Sequence, residues 1–142
     1  MKSRTLIIAG ALALTTATAV LAAPPPEHHE AADLKTIMVE LGEQMARAQS
    51  ALWLGDLATV SAAARQVADH PHVSPEERAR VQGVLGDDFA AFVTADRAVH
   101  DAAVRLSETA VAGDLDGTVR ELGAVQAGCV ACHSDFRERL SK

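Results

Sequence analysis

The 142-residue chain has no tyrosine, three phenylalanines and one tryptophan, so aromatic residues make up only 3% of it. Its interior is therefore short of bulky side chains even though 49% of the residues are hydrophobic, many of them alanine. With two cysteines, at most one disulfide is open to it. Basic residues are the minority, 13 against 19 acidic, for a formal charge of −6. That balance disfavours nucleic acid and anionic lipid and favours a basic protein partner. No run with a strand's alternating period, internal repeat or second-domain boundary is visible. Also missing are a nucleophile beside an activating base, a phosphate-binding loop and a metal-ligand cluster of catalytic spacing, so the chain does not read as an enzyme.

The first residues carry Lys2 and Arg4, then an apolar run from Leu6 to Val20, then Ala22 and Ala23. The run is too short and too rich in small residues to span a bilayer, and it reads as a secretory signal peptide, residues 1–22, cleaved after Ala22. Cleavage removes two basic residues and leaves the remainder more acidic still. No cysteine follows the cleavage site, so a lipid anchor is not expected there. Residues 23–32, which include Pro24-Pro25-Pro26, form an extended tether. Residues 33–142 are expected to be one domain in the periplasm, without stable membrane insertion.

Both cysteines fall in Cys129-Val130-Ala131-Cys132-His133, the spacing of a c-type haem attachment site. On a helix these three side chains share one face at i, i+3 and i+4, so two thiols meet two vinyl groups while the imidazole reaches the iron. A redox dithiol calls for a neighbouring βαβ pattern, and a zinc knuckle for two further ligands close by. Neither accompanies the motif. One covalently bound haem would also supply the planar bulk that the composition lacks.

Four amphipathic stretches surround the motif. The first starts at an Asp33 cap, repeats Leu34, Met38, Leu41, Met45, Ala48 and Leu52, and ends at Gly55. The second runs from Asp56 through Leu57, Val60, Ala64 and Val67 until His70-Pro71 stops it. Ser74-Pro75-Glu76-Glu77 opens the third with a capping box, and its face of Leu85, Phe89, Phe92, Val99, Ala103, Leu106 and Ala110 continues to Gly113, with Gly83 and Gly86 able to bend its first turns. Asp114 caps the fourth, where Leu115, Val119, Leu122, Gln126, Cys129, His133, Phe136 and Leu140 recur on the core-facing stripe. The expected fold is all-α, an antiparallel up-down-up-down four-helix bundle.

That topology puts Gly55 and Gly113 at one end, from which heights can be measured at 1.5 Å per residue. His133 lies about 30 Å down, Met38 about 26 Å and Met45 about 15 Å. His70 and His100 fall at about 22 Å and 20 Å. Met38 is therefore the best-placed distal iron ligand opposite His133, with His70 or His100 as less favoured alternatives. Asp96 and His100, one turn apart, are placed to pair, and Arg137 lies one turn beyond His133 on the same face. Trp53 is expected to be packed or to serve a subunit contact.

A Cys-Val-Ala-Cys-His on the last helix of such a bundle resembles the class II c-type cytochromes, the cytochrome c' family. Met38 to Met45 is similar to the first-helix segment of its low-spin members, Ala112 to Asp116 to the turn that opens their last helix, and Cys129 to Arg137 to the attachment motif. The resemblance implies haem c bonded to Cys129 and Cys132, His133 as proximal ligand, Met38 as distal ligand, and Phe136 and Arg137 beside the haem. It implies a periplasmic monohaem carrier of single electrons with low-spin His/Met ligation, exchanging them with periplasmic or membrane-bound redox proteins. A homodimer through the first two helices is a further expectation. Relatives with leucine at the Met38 position tend to be five-coordinate, high-spin proteins that bind nitric oxide or carbon monoxide, and this gas-binding role is the alternative. The family's usual basic residue four before the ligand is here Leu34, with Lys35 beside it, which leaves the partner of a haem propionate open.

Overall fold

The computed structural model describes residues 33–142. The expected signal peptide and tether lie outside the described residues. Helix α1 spans Leu34–Trp53, and the carboxylate of its N-cap Asp33 accepts from the Thr36 backbone N–H at 2.9 Å. Asp56 caps α2, Leu57–Ala68, which ends before the His70-Pro71 pair. Ser74 caps α3, Pro75–Leu85, its hydroxyl accepting from the Glu77 N–H at 3.1 Å. A 3-10 turn over Gly86–Asp88 leads into α4, Phe89–Val111. Asp114 caps α5, Leu115–Cys132, which passes through a π-helical turn, His133–Arg137, into the short α6, Glu138–Leu140.

The third expected helix is thus two. Gly86 sits at φ 57° and ψ −124°, a left-handed conformation that side chains resist, so the helix stops there and restarts in a new direction at Phe89. The long helices α1, α2, α4 and α5 form the antiparallel bundle, packed α1 on α2, α2 on α4 and α4 on α5. The fourth side, α1 facing α5, has no comparable backbone packing and is bridged by Gln126 Nε2 donating to Gln49 Oε1 at 3.0 Å. Because α3 leaves the bundle axis, it packs against α6 at the end where that side opens.

The interior is in two parts. Toward the Gly55 and Gly113 turns the core is largely alanine and valine, including Ala48, Ala63, Ala64, Ala103 and Val125, with Leu106 fully buried. Toward the other end, Val81, Leu85 and Phe136 are buried and Phe89 and Phe92 pack on them, so all three phenylalanines sit in this half.

Two helices are rotated from the expected faces. On α1 the buried side chains are Ile37, Ala48 and Ala51, while Leu34, Met38, Leu41, Met45 and Leu52 are half-buried. On α5, Leu115 and Val119 are exposed and Thr118, Leu122 and Val125 are buried. Small residues explain the second case. Gly128 lies directly against Val99 of α4, and this close approach turns the Thr118–Val125 face inward. Trp53 is 77% exposed. No described helix is long and apolar enough to cross a membrane.

Candidate functional site

The open side between α1 and the C-terminal turns holds a cavity of about 830 Å³, whose wall includes Met38, Phe92, Asp96, Cys132, His133 and Phe136. That is within the range of small-molecule sites, roughly 300 to 1,000 Å³. A smaller cavity of about 310 Å³ lies behind the connection from α2 to α3, with Ile37, His70, Val73 and Phe89 in its wall. Leu34, Met38, Phe92 and Asp96 border both, so Met38 stands at the partition.

Helix α5 stays α-helical through Cys132, which keeps Cys129 and Cys132 one turn apart on one face. Both are free and half-buried. Cys129 leans on the alanine-rich core and Cys132 on the phenylalanine cluster. Burial pushes both thiols above their ordinary pKa, and for Cys132 the negative charges of Asp96 and Asp135 push the same way. This is the reverse of the depressed thiol that a redox dithiol needs.

His133 is exposed at the cavity rim and opens the π turn. The motif therefore lies at the edge of the core, where the expected stripe placed it inside. A π turn closes at i+5, so Arg137 does not sit one α-turn above His133 as expected, though it still borders the larger cavity. Phe136 is buried, with Phe92 edge-on to it at 5.6 Å and 87°.

The expected Asp96–His100 pair is not formed. His100 is exposed beside Asp101, Nδ1 to Oδ1 3.1 Å, and borders neither of the two cavities. Its face of α4 looks to solvent. Asp96 instead faces His70, Oδ1 to Nε2 3.8 Å, and His70 Nδ1 donates to the Pro71 carbonyl at 2.9 Å. His70 borders only the smaller cavity; Met45 packs against the alanine-rich core. Among the described residues no three His, Cys, Asp or Glu side chains converge on a metal site.

Two charged residues with structural roles at this end were not legible in the sequence. The Ser74 hydroxyl caps α3 as expected, but the Glu77 carboxylate, expected to complete a capping box with Ser74, instead reaches across to accept the Leu34 backbone N–H at 3.2 Å, at the start of α1, and holds Arg80 through two 2.8 Å hydrogen bonds. The Arg80 guanidinium, and then the Leu34 N–H, hold Glu77 below the usual carboxylate range. Arg139 donates to the Leu85 carbonyl at 3.0 Å and to Asp88 at 2.7 Å, pinning the end of α3 to the C-terminal turns. Neither contact has a local signal, because the partners lie more than 40 residues away.

Residues 75–137, from α3 to the end of the π turn, match the family model described as Cytochrome C'. Over these residues the chain is similar to the cytochrome c' family. A protein of Alcaligenes xylosoxydans xylosoxydans named cytochrome c' is 42% identical over 55 residues, covering 39% of this chain and 43% of that protein. The chain thus spans less than half the length of that relative. No solved structure matches. Cytochrome c' proteins carry haem c, bonded covalently through thioethers. The residues present suit that group: two free thiols one helical turn apart, a histidine on the rim and a cavity walled by phenylalanines. The cytochrome c' match includes the Cys129–His133 motif but stops short of α1 and Met38.

Proposed function

We propose that the chain is a periplasmic monohaem c-type cytochrome that moves single electrons. The haem supplies the redox-active iron. Cys129 and Cys132 would hold the haem to the last helix, and His133, on the same helical face, would be its protein ligand to the iron. Phe92 and Phe136 would keep the buried part of the ring dry.

The observation that carries the electron-carrier reading is that Met38 and His133 border one cavity from opposite helices. A Met38 thioether as distal ligand would leave the iron six-coordinate and favour its reduced form. Redox proteins of the same compartment are then the partners. The comparisons lend more weight to a second reading. The match is to cytochrome c', and that supports a five-coordinate, high-spin haem whose open site binds nitric oxide or carbon monoxide.

Optical spectra of wild type and Met38→Ala, each oxidised and reduced, separate the two. A low-spin ferric wild type with a weak sulfur-to-iron charge-transfer band that vanishes in Met38→Ala supports the carrier. A high-spin wild type that takes up carbon monoxide rapidly, and that Met38→Ala leaves unchanged, supports the gas-binding role.

A further inference from the structure

The smaller cavity has no part in the attachment motif, since Cys129, Cys132 and His133 all lie off its wall. At about 310 Å³ it is roughly twice the size of an engineered apolar cavity of about 150 Å³ that takes up benzene. It has room for a ring and a head group. Most of its wall is apolar, built by Ile37 of α1, Val73 of the α2–α3 connection, Val81 of α3, and Phe89 and Phe92 of α4. Four polar side chains complete it.

Two of the four answer each other, with Asp96 Oδ1 3.8 Å from His70 Nε2 while His70 Nδ1 is taken by the Pro71 carbonyl. His72 is exposed and brings no negative charge. Arg78 is different. Its guanidinium carbon lies over the Phe89 ring, 5.2 Å from the centroid, and among the described residues it makes no ion pair and no side-chain hydrogen bond. Contact with the ring face holds the cation at the cavity wall and leaves its N–H donors without an acceptor.

The cavity therefore pairs one uncompensated cation with an apolar chamber. A hydrated inorganic anion suits it poorly, because the walls would strip water from the ion and put nothing in its place. A carboxylate with a ring or short chain behind it suits both parts, two oxygens meeting two N–H groups of the guanidinium while the body fills the chamber. We infer that the smaller cavity is a binding site for a small amphipathic monocarboxylate, with Arg78 as its anchor and Phe89 and Phe92 against the apolar body. The site goes beyond the haem reading and does not depend on it. Because Leu34 and Met38 border both cavities, an occupant would rest on the partition with the larger one.

The test is calorimetric titration of protein purified from a host competent in cytochrome maturation, with three probes of one shape and different charge: phenylacetate, phenylacetamide and phenethylamine. Wild type is compared with Arg78→Gln, Arg78→Lys and Arg97→Gln, the last an exposed arginine that borders neither cavity. Phenylacetate should bind saturably and about tenfold more tightly than phenylacetamide, as a charge-assisted hydrogen bond to an exposed arginine warrants, and phenethylamine should bind most weakly. Arg78→Gln should bring phenylacetate down to the affinity of the amide and leave the amide unchanged. Arg78→Lys keeps the charge without the paired donors and should fall between, while Arg97→Gln should match wild type. Absence of saturable phenylacetate binding, or equal affinity for phenylacetate and phenylacetamide, overturns the assignment. So does tighter binding of phenethylamine, which would make Asp96 the anchor, or a loss in Arg97→Gln equal to that in Arg78→Gln.

Discussion

Gly128 sits where α5 meets α4, and a Cβ there would stand 2.9 Å from Val99 Cγ2. Alanine gains up to about 1 kcal/mol over glycine from helix propensity, while forcing a short branched side chain aside costs about 1 to 3 kcal/mol. Gly128→Ala should therefore lose about 1 kcal/mol in urea unfolding, and in a Val99→Ala background the same change should turn stabilising. Glu77 allows a second test. Its folded pKa is depressed, so its stabilisation is complete above about pH 5 and fades as pH falls through the folded pKa. Glu77→Gln should melt below wild type at neutral pH, and the gap should close in acid. The Ser74 cap was readable from Ser74-Pro75-Glu76-Glu77, but the bond from Glu77 to Leu34 needed the fold, because nothing near residue 77 announces a partner 43 positions away.

Among the elements, α3 is the least committed to the core. Only Val81 and Leu85 of its eleven residues are buried, and its ends depend on Glu77 and Arg139. The side chain of Arg139 is 39% exposed, so Arg139→Met should cost only about 1 kcal/mol overall. It should nonetheless speed amide hydrogen exchange in α3 while leaving α2 unchanged. Gly86→Ala meets the left-handed backbone directly and should cost about 1 to 3 kcal/mol in thermal unfolding. A continuous third helix was the natural reading of the face from Leu85 to Ala110, since that periodicity passes through residue 86. Gly86 was visible as a place to bend, but whether it bends or breaks the helix depends on what captures the freed end. Here Arg139, brought in from the C-terminus, does so.

Over the whole molecule the bulky side chains are unevenly spread, with alanines and valines packing one half and all three phenylalanines around the cavities in the other. A group that binds only the folded state stabilises it, and its absence is felt where it would sit. A Cys129→Ser, Cys132→Ser double variant, made without haem, should melt lower than holoprotein. Its added hydrogen exchange should concentrate in the first turns of α1, in α3 and after Cys132, with α2 and the middle of α4 still protected. At the far end, Trp53 and Leu54 are 77% and 84% exposed. If the chain pairs through α1 and α2, Trp53→Ala should shift sedimentation equilibrium toward monomer.

Sequence alone determined where four of the helices begin, because Asp33, Asp56, Ser74 and Asp114 act on backbone N–H groups only three residues away. It determined the attachment motif for the same reason, since Cys129, Cys132 and His133 are brought together by one turn of helix. Only the tertiary structure decided which way each helix face turns, that α1 and α5 leave a slot between them, and that Asp96 meets His70 and leaves His100 to solvent. Those outcomes follow from how closely neighbouring helices approach, as at Gly128, and from charges that meet across the fold, and periodicity within one helix carries neither.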